Sequence, residues 1–367
     1  MSTIISSNSS LLILNPSSKS KSQHQFQSLS FNNPSNFSPS ITSQNHPQFT
    51  PIPKTLTLTD PSKPRLPTIS ATANDAAKPS ETLKTRLKNG ETLYGLFLCS
   101  FSPTLAEIAG LAGYDYVVVD MEHGYGGIPE ALTCLRSLAA TGTPAILRLP
   151  ESTAAWAKKA LDLGPQGIMF PMIESPKEAQ KAVSFCRYPL NGVRGAAHSI
   201  VRASGYGIDA GYLGHCEDEL LIMCQVECED AIEKIEKIAV VEGVDCIQMG
   251  PLDLSASMGY LWDPGNKKVR EKLRKAEKQV LEGKIGNEKN NGGAYLAGFA
   301  MPHDSPEELK SRGYHMVSGA VDILLFRKAA VEDVKKFKLS LEIGDGSSDD
   351  DDPTAEGVDA DDKYWSE

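Results

Sequence analysis

The chain has 367 residues, a formal charge of -10 and 40% hydrophobic residues, enough apolar material for a large core and too much for a disordered or fibrous protein. The charge is uneven: from Asp345 onward ten acids face one lysine, and residues 1–59 hold three lysines and no acid, so the stretch between carries only about -4. A core so close to neutral offers no basic surface for nucleic acid.

Residues 1–75 are rich in Ser, Asn, Gln and Pro; their first acid is Asp60 and their first arginine Arg65. The one apolar run there, Leu11–Leu14, is far too short to span a bilayer, and no membrane partner is expected. A Ser-rich, acid-poor leader reads as a disordered transit peptide and linker. Scarcity of arginine favours a chloroplast address over a mitochondrial one, with processing near Ile69-Ser70-Ala71.

From residue 80 to 340 short apolar runs alternate with amphipathic segments. Strands are predicted at Tyr94–Cys99, Tyr116–Asp120, Ala145–Leu149, Gly167–Met172, Leu220–Glu227, Val244–Met249, Leu296–Ala300 and Met316–Ser318. Helical patterns lie between and after them, at Thr104–Leu111, Pro129–Ala139, Ala154–Leu163, Lys177–Cys186, Ala231–Ile238, Lys268–Leu281, Pro306–Ser311 and Ile323–Leu339. Ser102, Ser152, Ser175 and Ser305 stand where helix N-caps are wanted. Eight strand–helix units over about 250 residues predict an α/β fold of the (β/α)8 TIM-barrel type. A doubly wound open sheet is the rival, but Ser100-Phe101-Ser102-Pro103 after the first strand is no Gly-rich phosphate turn. Two stretches interrupt the alternation: the long connection 187–219, and a Gly/Asn-rich surface insert at 283–293. An acidic tail, 345–367, reads as a solvated disordered end.

The seven cysteines are scattered without a Cys-x-x-Cys pair and read as reduced core thiols. Cys224 and Cys228 flank Glu227, but no histidine accompanies them at zinc spacing.

Barrel active sites are assembled from the carboxyl ends of several strands. Here those ends carry Asp120, Glu122 and His123 after the second strand, Arg148 on the third, Glu227 on the fifth and Asp253 after the sixth. Glu227 and Asp253 offer two carboxylates from neighbouring strands and leave positions open, which suits magnesium or manganese. A metal so held chelates a 2-oxo acid and stabilises its enolate. Arg148 adds a fixed positive charge beside the same oxyanion, His123 is the proton carrier, and Asp120 orients its ring. The amides of Leu252 and Asp253 head a short helix and seat a substrate carboxylate. Taken singly, Asp253 is equally a helix cap, Arg148 an ion-pair partner and His123 a packed histidine; their meeting at one rim favours the site. No lysine stands alone at a strand end, which argues against a Schiff-base aldolase.

Tyr94–Phe97, Asp120-Met-Glu-His123, Pro144–Pro150, Gly192-Val-Arg-Gly195, Gln225-Val-Glu227 and Gly250-Pro-Leu-Asp-Leu-Ser255 together resemble the HpcH/HpaI aldolase family over residues 92–337. The resemblance implies a barrel of the phosphoenolpyruvate/pyruvate type. It implies a class II lyase, dependent on Mg2+, Mn2+ or Co2+, that cleaves or forms 4-hydroxy-2-oxo acids through a pyruvate enolate and an aldehyde. By position it makes Glu227 and Asp253 the metal ligands, and His123, Arg148 and Asp120 the catalytic set. Arg148, Gln225, Leu252 and Asp253 become the substrate contacts. It also implies a homo-oligomer, trimer or hexamer, with sites near subunit contacts. Arg194-Gly195 is followed by Ala196-Ala197-His198 rather than by the Gly- and Ala-rich continuation common in the family. A citryl- or malyl-CoA lyase on a similar barrel, or a binding protein that has lost catalysis, are the alternative readings.

Overall fold

A computed structural model describes residues 81–261, 263–286 and 293–344. The leader, the middle of the 283–293 insert and the acidic tail lie outside the described residues.

Eight parallel strands close on themselves in chain order: β1 Leu93–Leu98, β2 Tyr116–Asp120, β3 Ala145–Arg148, β4 Gly167–Phe170, β5 Leu221–Val226, β6 Cys246–Met249, β7 Tyr295–Phe299 and β8 Met316–Val321. The helices are α1 Leu83–Lys88, α2 Pro103–Ala112, α3 Ile128–Ala140, α4 Ala154–Asp162, α5 Pro176–Cys186, α6 Tyr212–Glu219, α7 Glu229–Ile232, α8 Ile235–Ala239, α9 Pro251–Ser257, α10 Lys267–Gly286, α11 Pro306–Ser311 and α12 Asp322–Gly344. The expected TIM-type barrel is therefore present. Among the described residues no helix is long and apolar enough to cross a membrane.

The pleat of each strand sorts its side chains into two layers. Val117 and Val119 of β2, Leu147 of β3 and Ile222, Cys224 and Val226 of β5 pack outward among the helices. Tyr116 and Val118, Ile146, and Leu221 and Met223 fill the barrel interior. Carried two residues further along each strand, the same inward phase falls on Asp120, Arg148 and Gln225. Continuous apolar runs were legible as strands because both faces are buried. The period of two then puts the polar residues into the top interior layer.

The opposite end is closed by α1, which the sequence pattern did not reveal. Its Leu83 and Leu87 are buried against the interior cluster, and Lys84 pairs with Asp245 at 2.9 Å.

Four expectations are corrected. The N-cap of α4 is Thr153 rather than Ser152; its hydroxyl accepts the Trp156 N–H. β4 stops at Phe170 rather than Met172, because Pro171 has no N–H for the ladder and Met172 turns into the left-handed region at φ 51°. The segment read as one helix over 231–238 is two, α7 and α8, separated at Lys234, whose backbone (φ -111°, ψ 5°) is not helical. α10 continues through Gly286, so the insert begins later than Gly283. The long connection is also partly ordered: it contains a 3-10 turn at Arg202–Ser204 and the helix α6.

Gly95 of β1 shows how tightly the interior is filled. A Cβ there would lie 2.3 Å from the Tyr116 ring, which is 1% exposed and whose hydroxyl is 3.0 Å from the Ser318 hydroxyl. Gly95→Ala is expected to destabilise by about 1–3 kcal/mol through overpacking, lowering the thermal midpoint by roughly 2–4 °C per kcal/mol. A melt unchanged within 1 °C, on the order of the smallest shift so expected, would mean that the interior yields freely at this layer.

Candidate active site

The residues singled out at the strand ends meet at the carboxyl-terminal mouth of the barrel. Asp120 and Arg148 are the last residues of β2 and β3 and are register partners across that ladder. The guanidinium embraces the carboxylate through Nε (2.8 Å) and Nη2 (2.5 Å). Nη1 forms an ion pair with Glu122 Oε2 at 2.9 Å and donates to Gln225 Oε1 at 3.4 Å. The Gln225 amide in turn donates through Nε2 to Glu227 Oε2. Glu227 Oε1 accepts the backbone N–H of Met172 at 2.8 Å. A polar chain therefore runs Asp120–Arg148–Gln225–Glu227–Met172 across the mouth, and the Phe97 ring lies 5.0 Å from the guanidinium carbon.

Burial and pairing set the charges of this chain. Burial works against the Asp120 carboxylate, but the Arg148 hydrogen bonds and charge, with the amides of Glu122 and His123, hold its pKa below the usual value. Burial pushes the carboxyl of Glu227 up to about 7, and the charges of Glu122 and Asp253 push the same way, against the Met172 and Gln225 hydrogen bonds. Burial likewise pushes Glu122 to about 7, opposed by Arg148 and reinforced by Asp120 and Asp253. Glu122 Oε2 is buried and receives no hydrogen bond among the described residues; its contact with Arg148 is an ion pair of poor hydrogen-bond direction.

The mouth thus gathers four carboxylates, Asp120, Glu122, Glu227 and Asp253, around one guanidinium. Asp120 is matched by Arg148, and ionisation of the other three would leave surplus negative charge at the mouth. That donor set fits a divalent cation: the buried oxygens of Glu227 and the exposed Asp253 are hard ligands, and Mg2+-type ions bind through one or two carboxylates and keep the rest of their shell for water or substrate. Among the described residues no group of three or more His, Cys, Asp or Glu side chains is placed to hold a metal ion. Gly250 keeps the space beside Glu227 clear, since a Cβ there would stand 2.6 Å from the Glu227 Cβ and 2.7 Å from its Oε2.

Leu252 and Asp253 occupy the first turn of α9, with Gly250 as its N-cap; first-turn amides have no partner within their own helix. His123 lies in the turn after β2 and its side chain is 64% exposed.

One pairing differs from expectation. Asp120 does not orient the His123 ring: its carboxylate is taken up by Arg148 and by two backbone amides. The nearest carboxylate to the ring is Glu122, at 3.9 Å from Nε2. The three-residue spacing suggested the first pairing, but the strand holds Asp120 in the interior phase while the turn carries His123 outward. Sequence reasoning placed Glu122 among the candidates at the strand ends without giving it a chemical task, and gave no role to Met172, Phe97 or Gly250. Glu122 was signalled by its place between Asp120 and His123, whereas nothing in the sequence marked the backbone of Met172.

In comparisons with known proteins, residues 93–329 match the family model of HpcH/HpaI aldolase/citrate lyase. The hydroxypyruvate/pyruvate aldolase of Paraburkholderia phytofirmans is 34% identical over 262 residues, covering 70% of this chain and 97% of the relative. The 2-keto-3-deoxy-L-rhamnonate aldolase of Escherichia coli K12 is 33% identical over 260 residues, covering 71% and 94%. The crystal structure of an HpcH/HpaI aldolase/citrate lyase family protein from Burkholderia cenocepacia superposes with a TM-score of 0.62 at 31% identity, covering 70% of this chain and 98% of that one. Macrophomate synthase shares the fold, with a TM-score of 0.63 at 20% identity.

The raised carboxyls fix a pH dependence for the metal-free protein. Their folded pKa of about 7 exceeds the ordinary value of 4.5. Their contribution to stability is therefore complete below about pH 4.5 and is lost as pH rises through about 7. In the presence of chelator the thermal midpoint is expected to fall between about pH 5 and 8, with Glu227 accounting for up to about 3 kcal/mol. Glu227→Gln, which cannot ionise, should flatten that fall; an unchanged slope would show that the site carboxylates do not titrate there.

Proposed function

The chain belongs to the HpcH/HpaI aldolase/citrate lyase family, and from that premise we propose that it is a metal-dependent pyruvate aldolase, a carbon–carbon lyase that cleaves or forms 4-hydroxy-2-oxo acids. The observation that carries the reading is the chain Asp120–Arg148–Gln225–Glu227 at the barrel mouth, with its surplus of carboxylate charge.

In the cleavage direction the C3–C4 bond breaks. Its electron pair passes to the 2-oxo oxygen as an enolate, the 4-hydroxyl proton leaves, and an aldehyde departs. Arg148, locked by Asp120 on two of its nitrogens, keeps its charge in a buried setting and turns Nη1 toward the mouth, where it stabilises the developing oxyanion. His123 stands exposed at the same mouth and takes the hydroxyl proton, directly or through water. The amides of Leu252 and Asp253 receive the substrate carboxylate, and Gln225, fixed between Arg148 and Glu227, borders it. Glu227 and Asp253 would hold a divalent cation, which when bound would supply positive charge to polarise the oxo group. Protonation of the enolate at C3 then releases pyruvate.

The aldehyde class, the choice among Mg2+, Mn2+ and Co2+, and the assembly are part of the same proposal. α12 exposes Leu325, Phe326, Val331 and Val334, each 48–73% accessible, along a helix whose apolar positions invite cover. This supports a homo-oligomer, for which the family resemblance implies a trimer or hexamer. The Ser-rich, acid-poor first 75 residues support import into a chloroplast.

Purified protein with Mn2+ or Mg2+ is expected to release pyruvate from 4-hydroxy-2-oxo acids and to lose that activity on chelation. Glu227→Ala should abolish Mn2+ binding with the fold retained. Arg148→Lys should lower kcat by roughly 10²–10³, and His123→Ala by roughly 10²–10⁴. Activity indifferent to chelators, or cleavage of a CoA thioester but of no hydroxy-oxo acid, would replace this reading. Phe326→Asp with Val334→Asp is expected to reduce the mass in light scattering to that of a smaller assembly; an unchanged mass would remove α12 from the contact.

A further inference from the structure

Met172 is one of three described non-glycine residues with positive φ, at 51°. That region crowds the Cβ against the following carbonyl and is disfavoured for every residue but glycine, with asparagine and aspartate the best tolerated. The side chain does not account for the conformation: it is 50% exposed and so contributes little apolar burial to offset it. The backbone does account for it. Phe170 ends β4 in register with Cys224 of β5, Pro171 has no N–H, and Ile173, 1% exposed, donates its N–H to the Gln225 carbonyl at 3.0 Å. Between the two, the left-handed turn swings the Met172 N–H off the ladder and onto Glu227 Oε1 at 2.8 Å.

We propose that Met172 is a positioning residue for Glu227, acting through its backbone. The left-handed turn fixes the N–H against one carboxylate oxygen while Gln225 holds the other, so the orientation of the Glu227 carboxylate is set before any cation arrives. The inference rests on the reading of Glu227 as a cation ligand and adds to it the element that orients the ligand. Outer partners of metal ligands act in this way, and their loss typically lowers metal affinity by about 10–100-fold. The local sequence conceals the role because methionine is neither a turn former nor a donor side chain.

The test separates backbone from side chain. Met172→Gly and Met172→Asn accept positive φ and keep the N–H; Met172→Val and Met172→Ile keep an apolar side chain but resist that φ. Mn2+ dissociation constants, measured by electron paramagnetic resonance on the full chain with thermal melts in chelator as the fold control, are expected to stay within about threefold of wild type for Gly and Asn. They should rise about tenfold or more for Val and Ile. Wild-type affinity in the Val and Ile proteins would overturn the proposal. So would a tenfold loss in the Gly and Asn proteins, a result that still decides the matter if the β-branched variants do not fold. Wild-type protein that binds no Mn2+ would instead sink the cation reading of Glu227 itself, and this inference with it.

Discussion

The buried pair of Arg148 and Asp120 is the interaction on which the mouth of this barrel depends. A guanidinium 8% exposed and a carboxylate fully buried would each be costly alone, because an uncompensated buried charge loses its hydration without return. Joined through two nitrogens and two oxygens they neutralise one another and fix one another's orientation. That leaves Nη1 as the one nitrogen of a rigid cation that Asp120 does not take up. Everything else at the mouth is arranged around that end: Glu122 by charge, Gln225 by its carbonyl oxygen, and Glu227 through Gln225.

This order has an electrostatic consequence. Once Asp120 is taken up by Arg148, the remaining carboxylates share no lysine or arginine other than Arg148, through Nη1, among the ion pairs of the described residues, and burial drives two of them up to about 7. A site built this way favours the arrival of positive charge, whether a proton or a divalent cation. The same carboxylates are supported by backbone and amide donors that hold them still, so attraction and geometry come from different residues. Glu227 in particular is fixed from two sides, by the Met172 amide and the Gln225 amide, with Gly250 leaving the room that its side chain needs.

The helices around the barrel show how local chemistry and tertiary context divide the work. Ser102, Ser175 and Ser305 each cap a helix as their sequences foretold, and Ser305 forms a full capping box with Glu308. Before α4, where Ser152 and Thr153 stand side by side, the nearer residue takes the cap; either hydroxyl suits it, and only the path of the chain out of β3 chooses. The break at Lys234 between α7 and α8 likewise had no Gly or Pro to announce it.

By itself the sequence determined the number, order and parallel pairing of the strands. Continuous β-branched runs such as Tyr116–Asp120 leave little choice when both faces must be buried. It also determined which polar residues end those runs, because the period of two that fills the interior with Val118 and Ile146 must deliver Asp120 and Arg148 next. What only the tertiary structure decided is which of these polar groups take one another as partners. Residues 28 apart, Asp120 and Arg148, are brought side by side by strand register, while the turn that ends the strand leaves Asp120 bonded to the His123 amide and not to its ring. Partner choice depends on angles and distances fixed by ladder register and by one left-handed backbone turn at Met172, and neither quantity is written in the spacing of residues along the chain.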